Sequence, residues 1–454
     1  MSAITDLTRS LLTMSTVLAG VILLSADVEA QVLSESVKLL APDGAANDEF
    51  GQAVSLEGDI AVVGVRRDDD FGADSGSAHV YRRLGLSWLE QQKLLPSSGE
   101  ADDEFGVAVA VHDDVIVIGA SGDNQAGEDS GAVYIFRWNG VTWTQEQKLG
   151  PLDADPGDKF GGSVAISGEL VVVGADLDDE LASGAGAAYV FRWNGVSWLQ
   201  EQKLLPMDGA TFDQFGLSVS ISGNTVVVGS PFDDDLGSDC GSAYGFRYDA
   251  SQTCGQLWCQ KQKLLPDNSP SGDNFGSTVA VFDDVVVVGA KGDDDAANNA
   301  GAAYAYRWNG VSWDVEQKIF SADASSEDAF GGRVAAGGSH ILIAAMGDDD
   351  NGVDSGAAYL FAWGGGTWMQ EQKLLPSDGL SNDSFGQSVA IVENVAIVSA
   401  FLDDDLGTDS GSAFVFHLGP EVPSVSSWGI VSLTLMIGLV ATLMLRRVGS
   451  TQVR

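Results

Sequence analysis

Between residues 33 and 418 the chain repeats one pattern of apolar and polar positions. Segments in which the two alternate, such as residues 163–166, predict half-buried strands. Each is followed by a tight turn and a continuous β-branched run, such as residues 226–228, which predicts a second and more buried strand. A third strand carries aromatic residues two positions apart, and a fourth is exemplified by residues 198–205. The pattern therefore predicts a unit of four antiparallel strands.

The dipeptide Phe-Gly marks the period of this unit. Five of its six intervals are 55 residues long and one is 60. The seven phenylalanines are Phe50, Phe105, Phe160, Phe215, Phe275, Phe330 and Phe385. A fixed period of this size indicates a repeat fold, and four short antiparallel strands per repeat are typical of a propeller blade.

The two ends of the repeat region predict how the ring closes. The seventh repeat ends its third strand at Phe416 and has no fourth strand. Residues 33–40 form an orphan fourth strand, with Lys38 in register with Lys93. We therefore predict an all-β fold over residues 31–418, a seven-bladed β-propeller of four-stranded antiparallel blades whose last blade is closed by the N-terminal strand. The alternative is a linear solenoid, which would need atypical capping repeats.

The repeat resembles the FG-GAP repeat of integrin alpha-type propellers over residues 33–418. The resemblance rests on Phe-Gly in the first strand, Val288-Gly289-Ala290 in a second strand, and the Gly-Ala-Ala-Tyr-Val-Phe sequence of residues 186–191 in a third. It implies an exported or cell-surface protein that binds proteins or sugars, often with calcium. In the integrin repeats the calcium motif Asp-x-Asp-x-Asp-Gly joins the first two strands. Here a tight turn joins them, so that coordination is not carried over.

The N-terminal 30 residues predict a signal peptide. Arg9 precedes an apolar run, and a small-x-small sequence ends at Ala30, where cleavage is expected. The mature protein is therefore expected to be exported.

The C-terminal end predicts a membrane segment at residues 428–447, after a linker at 419–427 and before a cytoplasmic tail at 448–454. Trp428 begins 18 uncharged residues, which are followed by Arg446 and Arg447. The alternative is a buried C-terminal helix. The tail also resembles bacterial sorting signals of the IPTL type through residues 422–425 and Trp428-Gly429. That resemblance implies recognition by a membrane sorting enzyme, with the protein anchored at the surface or released to the exterior.

Net charge limits the partners. The chain carries a formal charge of −42 and has a pI near 4.1. Such a surface repels nucleic acid and anionic lipid headgroups, and cations are its expected counter-charge.

Aspartates in the link between the second and third strands are the candidate metal ligands. One stands 17 residues after the glycine of Phe-Gly in all seven repeats, and five repeats extend it to three consecutive aspartates. Clustered carboxylates suit Ca²⁺, and the alternative is that they form Asx-turns. The candidates are Asp68, Asp70, Asp74, Asp178, Asp233, Asp235, Asp239, Asp293, Asp295, Asp348, Asp350, Asp354, Asp403, Asp405 and Asp409. A further aspartate precedes each Phe-Gly by one intervening residue; we expect it on the same face of the disc, with a structural role in its loop.

Three other residue types recur or stand out. Cys254 and Cys259 lie in the elongated fourth repeat and predict a disulfide, whereas Cys240 is expected to be a buried thiol. The tryptophan near the start of six of the fourth strands predicts packing between blades, with sugar stacking as the alternative. The lysine near the end of that strand is interpreted as a guard against edge pairing.

The functional prediction is binding rather than catalysis. The four histidines share no repeat position, and no serine, cysteine and histidine constellation stands out. We expect a monomeric surface propeller that binds an extracellular protein or polysaccharide and contacts the membrane only through its C-terminal segment. The alternatives are a carboxylate-based surface hydrolase and a purely structural envelope protein.

Overall fold

The computed structural model describes residues 31–266 and 270–418, which form 29 strands in seven sheets arranged as a ring. The N-terminal strands are β1 (Gln31–Ser34) and β2 (Val37–Leu39). Blades 1 and 2 contain β3 (Phe50–Glu57), β4 (Ile60–Val65), β5 (Ser77–Leu84), β6 (Ser87–Leu94), β7 (Phe105–His112), β8 (Val115–Ala120), β9 (Ala132–Trp138) and β10 (Trp143–Leu149). Blades 3 and 4 contain β11 (Ser163–Ser167), β12 (Leu170–Ala175), β13 (Ala187–Trp193), β14 (Trp198–Leu204), β15 (Ser218–Ser222), β16 (Thr225–Ser230), β17 (Ser242–Tyr248) and β18 (Trp258–Leu264).

Blades 5 and 6 contain β19 (Phe275–Phe282), β20 (Val285–Ala290), β21 (Ala302–Trp308), β22 (Trp313–Ile319), β23 (Phe330–Gly337), β24 (His340–Ala345), β25 (Ala357–Trp363) and β26 (Trp368–Leu375). Blade 7 contains β27 (Phe385–Val392), β28 (Val395–Ala400) and β29 (Ser412–His417), with β2 as its fourth strand. Within each blade, consecutive strands pair antiparallel, and the first strands of neighbouring blades contact one another around the ring. The predicted all-β, seven-bladed propeller is confirmed.

The N-terminal segment closes the ring, but not as a single strand. β2 pairs antiparallel with β29, and Lys38 lies opposite Phe414. The prediction of one strand over residues 33–40 is wrong, because β1 instead pairs in parallel with β26 of blade 6. The chain changes blades at Glu35, whose carboxylate accepts the backbone N–H of Ser377 at 3.0 Å. The N-terminal segment thus ties two neighbouring blades together.

The apolar core lies between adjacent blades. One cluster joins Val62 of blade 1 to Phe105 and Ile116 of blade 2. Phe105 is fully buried, and its ring lies edge-on to Tyr134 with centroids 5.3 Å apart. Each Phe-Gly phenylalanine thereby anchors an inner strand against its own third strand.

The glycine of Phe-Gly and the glycine of the second strand recur because neighbouring blades approach closely there. A Cβ added to Gly64 of blade 1 would lie 2.0 Å from the carbonyl oxygen of Gly106 in blade 2. Gly106 also has a φ of 98°, a conformation that glycine adopts readily. Five blades have this second-strand glycine, whereas blade 6 has Ala344 and blade 7 has Ser399, so a side chain at this position requires a local adjustment of the contact.

Glutamine side chains join the outer strands of successive blades. In blade 3, the backbone N–H of Trp198 donates to Gln147 Oε1 of blade 2 at 2.9 Å, and Gln147 Nε2 donates to the Trp198 carbonyl at 2.9 Å. The same two bonds recur for Gln92 with Trp143, Gln202 with Trp258, Gln262 with Trp313, and Gln317 with Trp368. The tryptophans are at most 5% exposed, which confirms their packing role.

The predicted disulfide and buried thiol lie within the described residues, whereas the predicted terminal segments do not. Cys254 and Cys259 are joined by a disulfide, with Cα atoms 6.0 Å apart. Cys240 is buried, and its thiol donates to the carbonyl of Pro270 at 3.4 Å. The predicted signal peptide, linker, membrane segment and tail (1–30 and 419–454) lie outside the described residues. Among residues 31–266 and 270–418, no helix has the length and apolar character needed to cross a bilayer.

Candidate functional site

Two kinds of connection meet on one face of the disc. We call the link between the second and third strands of a blade its acidic loop, and the link from the preceding blade into its first strand its entry link. In blade 2 the backbone N–H of Gly122, in the acidic loop, donates to the carbonyl of Asp103, in the entry link, at 3.2 Å. We call this side of the molecule the acidic face.

The first aspartate of each acidic loop is a buried turn former. Asp178 is 3% exposed, and its Oδ1 accepts the backbone N–H of Glu180 at 3.0 Å, which is an Asx-turn. The equivalent bond is present in all seven loops, to the backbone of Asp70, Gln125, Glu180, Asp235, Asp295, Asp350 and Asp405. The second oxygen, Oδ2, accepts the hydroxyl of Tyr189 at 2.8 Å. The turn interpretation of these aspartates therefore holds for the first position.

A lysine ammonium lies against the same carboxylate. Lys203 projects from β14 so that its Nζ is 2.7 Å from Asp178 Oδ2, 2.7 Å from Glu180 Oε2 and 2.8 Å from Asp153 Oδ2. Its side chain is only 14% exposed. Burial opposes the charged form, but hydrogen bonds to these three acids raise the pKa of Lys203 above its usual value. The prediction that this lysine discourages pairing at the outer strand edge is therefore wrong, because its ammonium group contacts the carboxylates of these three acids.

We call each such lysine with its acids a lysine cluster. The clusters of three acids are Lys38 with Asp378, Asp403 and Asp405; Lys93 with Asp43, Asp68 and Asp70; Lys203 with Asp153, Asp178 and Glu180; Lys263 with Asp208, Asp233 and Asp235; and Lys373 with Asp323, Asp348 and Asp350. Lys318 contacts Asp293 and Asp295, and the third position of its cluster is Asn268, which lies outside the described residues. Among the described residues, Asp123 is the one acid that pairs with Lys148.

The structure brings together most of the predicted metal ligands but not all. In six of the seven loops the first and third acids share a lysine, whereas the acid six residues after the first does not join them. That later residue adopts a φ of 51–52° and donates its backbone N–H to the second aspartate of the loop, as in Asp74 with Asp69 at 2.9 Å. The residues that stay apart are Asp74, Asp239, Asp354 and Asp409.

The entry-link acid of each cluster was missed at the sequence level. These residues are Asp43, Asp153, Asp208, Asp323 and Asp378. Each stands five residues after the lysine of the preceding blade, so the period itself contained the signal. Only the ring shows that this acid contacts the lysine of the next blade.

The carboxylates of one lysine cluster lie close enough together to share a metal ion. Within the described residues, one group of three acids has oxygens within 4.8 Å of one another, namely Asp323, Asp348 and Asp350. Lys373 Nζ lies 2.6–2.8 Å from the same three residues. Burial opposes ionisation of Asp323, but the hydrogen bond from Lys373 lowers its pKa below the usual value. A metal ion at this position would share or replace the contacts of the ammonium.

The aspartates that precede Phe-Gly serve their own loops. Asp158 Oδ2 accepts the backbone N–H of Asp155 at 2.9 Å, and burial raises the pKa of Asp158 to about 6. In blade 5 the donor position is Pro270, which has no N–H. Both oxygens of Asp273 consequently lack a partner among the described residues, and burial raises its pKa to about 7.

Blade 1 has a different substitution beside its lysine cluster. His79 replaces the tyrosine of five other third strands, and its Nδ1 lies 2.7 Å from Glu90 Oε1. A cavity of about 340 Å³ lies alongside, lined in part by Pro42, Glu90 and Lys93. Sequence comparison of the repeats finds His79 but not its partner Glu90.

The chain belongs to the FG-GAP repeat family. The family model matches seven segments that together cover more than half of the chain: residues 33–81, 88–136, 143–191, 198–246, 258–306, 313–361 and 368–416. Each segment begins near a fourth strand and ends with the third strand of the next blade, so the sequence unit is offset from the structural blade.

Comparison with curated proteins and with solved structures does not narrow the function further. No curated protein matches the chain. Among solved structures, Saccharomyces cerevisiae Sqt1 is similar at 10% identity with a TM-score of 0.46, over 86% of this chain and 100% of Sqt1. That similarity is too low to inform function.

Proposed function

We propose that this FG-GAP propeller is an exported cell-surface protein that binds an extracellular protein or polysaccharide through its acidic face. The main observation in support is that the acidic loops and entry links lie on this one face, where lysine clusters hold them in fixed conformations. FG-GAP repeats are typical of extracellular proteins. The proposal includes anchoring through residues 428–447.

The composition of the acidic face supports a binding role. Exposed apolar side chains stand among its carboxylates, including Phe71 (50% exposed) and Leu236 (51%) in two acidic loops. A rigid surface that mixes apolar and polar groups loses little conformational entropy when a partner binds. Such a face suits a glycan or a basic protein surface better than another acidic one.

Array binding with matched variants tests this function. The full chain is applied to glycan and extracellular-protein arrays, together with Phe71→Ser/Leu236→Ser on the acidic face. The control is Leu86→Ser/Val196→Ser, which changes exposed residues of hairpin turns on the opposite face. We expect the acidic-face variant to lose retention and the control to keep it. Equal behaviour of the two variants would contradict use of this face, and conversion of a retained glycan would favour the hydrolase alternative.

Calcium dependence is the second part of the proposal. Each cluster of three acids keeps a net charge of about −2 beside its lysine, which attracts a divalent cation. The ammonium competes for the same oxygens. Melting of the full chain with and without EDTA shows whether a metal ion or only the ammonium binds these carboxylates. A metal that binds only the folded state raises stability by RT ln(1 + [L]/Kd). An unchanged midpoint, with no calcium retained after dialysis, would remove calcium from the proposal.

A further inference from the structure

The lysine cluster of blade 2 lacks two of the three acids found in the complete clusters. Ser98 stands where five other entry links have aspartate, and Gln125 stands where the other acidic loops have their third acid. Lys148 therefore keeps a single carboxylate among the described residues, that of Asp123, with Nζ and Oδ2 2.6 Å apart. Blade 2 has the same strand order and acidic-loop turn as its neighbours, so the difference is confined to side chains.

In blade 4 the positions equivalent to Ser98 and Gln125 are Asp208 and Asp235, which contact the lysine of that blade. There the Asp208 carboxylate bridges two donors: its Oδ1 accepts the hydroxyl of Tyr244 at 2.9 Å, and its Oδ2 accepts Lys263 Nζ at 2.9 Å. Asp235 accepts the same ammonium at 2.6 Å. Both positions of the cluster are thus occupied by carboxylate oxygens.

Blade 2 keeps the lysine as a hydrogen-bond donor, and a cavity lies beside it. A cavity of about 240 Å³ is lined by Ser98, Asn124, Gln125 and Lys148, among others. Asp123 uses one of the three ammonium protons of Lys148, which leaves two for another acceptor, and the Gln125 amide is a further donor. The Ser98 hydroxyl is hydrogen-bonded to Tyr134. The cavity is smaller than the roughly 300–1,000 Å³ of sites for drug-sized ligands, so it suits a small group.

We propose that this pocket binds a small organic monocarboxylate, whose carboxylate takes the positions that Asp208 and Asp235 occupy in blade 4. Compared with the complete clusters, the lysine cluster of blade 2 has room for one more negative charge. Lys148 and Asp123 together are neutral, whereas the complete clusters carry about −2. A bound monocarboxylate would bring blade 2 to about −1, which is still less negative than the complete clusters.

Nearby negative charges limit the affinity of the pocket for a carboxylate. Glu100 and Asp103 also line the cavity, and the whole chain carries −42, so binding is expected to be weak at neutral pH. Burial raises the pKa of Asp103 to about 6. Protonation of Asp103 as the pH falls from about 7.5 to 5.5 removes one opposing charge, so affinity should rise over this range while the ligand stays ionised.

This inference rests on the proposed function, because it names the chemical group that the acidic face recognises. Calorimetric titration of the full chain with glucuronate and with N-acetylglycine tests it, with glucose and N-acetylglycinamide as uncharged controls. We expect one site per chain for a carboxylate and none for the controls. Binding of glucuronate alone would assign an acidic sugar, and binding of N-acetylglycine alone would assign a peptide carboxylate. Binding of neither, or equal binding of the uncharged controls, would overturn the proposal.

Two variants test the position of the site. Ser98→Asp/Gln125→Asp rebuilds the complete cluster and should weaken binding by about tenfold or more, without loss of thermal stability. Asp323→Ser/Asp350→Gln makes blade 6 resemble blade 2 and should raise the stoichiometry from one site to two. Unchanged binding in the first variant would show that the site lies elsewhere. An unchanged stoichiometry in a folded second variant would show that the missing acids do not create it.

The result is separable from that of the array experiment. If no carboxylate binds but the array retains the chain, the inference fails and the proposed function stands. If a carboxylate binds at Lys148 but the array retains nothing, the site stands and the proposed partner class fails.

Discussion

The ammonium nitrogen of Lys203 lies 2.7 Å from Oδ2 of Asp178, a residue that is only 3% exposed and also forms the acidic-loop turn. The two residues are 25 positions apart, one on the outer strand of blade 3 and the other in its acidic loop. Without the lysine this buried carboxylate would keep only neutral donors, and a buried charge without a counter-charge is strongly destabilising. We therefore expect the lysine to stabilise the loop.

Replacement of Lys203 should therefore destabilise the propeller. We expect Lys203→Met to lower the free energy of unfolding by about 3–5 kcal/mol, the cost of leaving buried charge without its partner. Urea unfolding of the full chain measures this. The control is Lys261→Met, on the outer strand of blade 4, where the side chain is exposed and the loss should stay below about 0.5 kcal/mol. Similar losses in both variants would show that the cluster does not stabilise the fold.

Stability should increase as the pH falls from about 7.5 to 5. Burial raises the pKa of Asp103, Asp158, Asp328 and Asp383 to about 6 in the folded chain, above the ordinary value of 3.8. The folded state therefore binds protons more tightly over this range, so unfolding becomes less favourable on acidification. Carboxyls whose pKa is lowered, such as Asp233 beside Lys263, lose their contribution only below about pH 4. Thermal melting across this pH range should show a higher midpoint near pH 5 than at about pH 7.5.

Asp158→Asn isolates one of these groups. Asparagine keeps an oxygen that can accept the N–H of Asp155 but cannot ionise. We expect it to raise the free energy of unfolding by about 1–2 kcal/mol at pH 7.5 and to change it little at pH 5. Asp283→Asn removes the same charge from an exposed turn on the opposite face and should show no such pH dependence. A stabilisation by Asp158→Asn that is equal at both pH values would exclude titration as its cause.

The glutamine contacts between blades give a second stability test. Gln147→Ala leaves the buried backbone N–H and carbonyl of Trp198 without their partners, which should cost about 2–3 kcal/mol. The matched position in blade 6 is Gln372, whose Oε1 has no partner among the described residues, since β1 pairs with β26 there. Gln372→Ala should cost less than about 1 kcal/mol. A larger loss at Gln372 than at Gln147, by urea unfolding, would contradict this role.

Because neighbouring blades approach closely at the second-strand glycine, we expect its replacement by a residue with a Cβ atom to destabilise the propeller. A Cβ at Gly174 would lie 2.0 Å from the carbonyl oxygen of Gly216 in the next blade, so Gly174→Ala should cost about 3 kcal/mol or more. Blade 6 has Ala344 at the same repeat position, where the contact is adjusted locally. Ala344→Gly should change stability by about 1 kcal/mol or less. Differential scanning calorimetry of both variants checks the difference, and a neutral Gly174→Ala would show that the blades can separate without cost.

Much of the fold could be predicted because each strand pair is local. Alternation and turn spacing determine β11 to β14 within one repeat, and the period repeats the result seven times. The division of the N-terminal segment at Glu35 could not be predicted, because it depends on which of two distant outer edges each half meets. The same limit applies to Asp153, which lies 50 residues from Lys203 along the chain and joins it only in the ring.

The sequence by itself determined the repeat, the number of blades, the closure by an N-terminal strand and the places where carboxylates concentrate. These features follow from contacts between residues close in sequence and from the period. The tertiary structure decided what the carboxylates contact, because entry link, acidic loop and outer strand meet only when successive blades pack together. It placed a lysine among the predicted calcium ligands and showed that Ser98 and Gln125 leave Lys148 with one carboxylate partner instead of three.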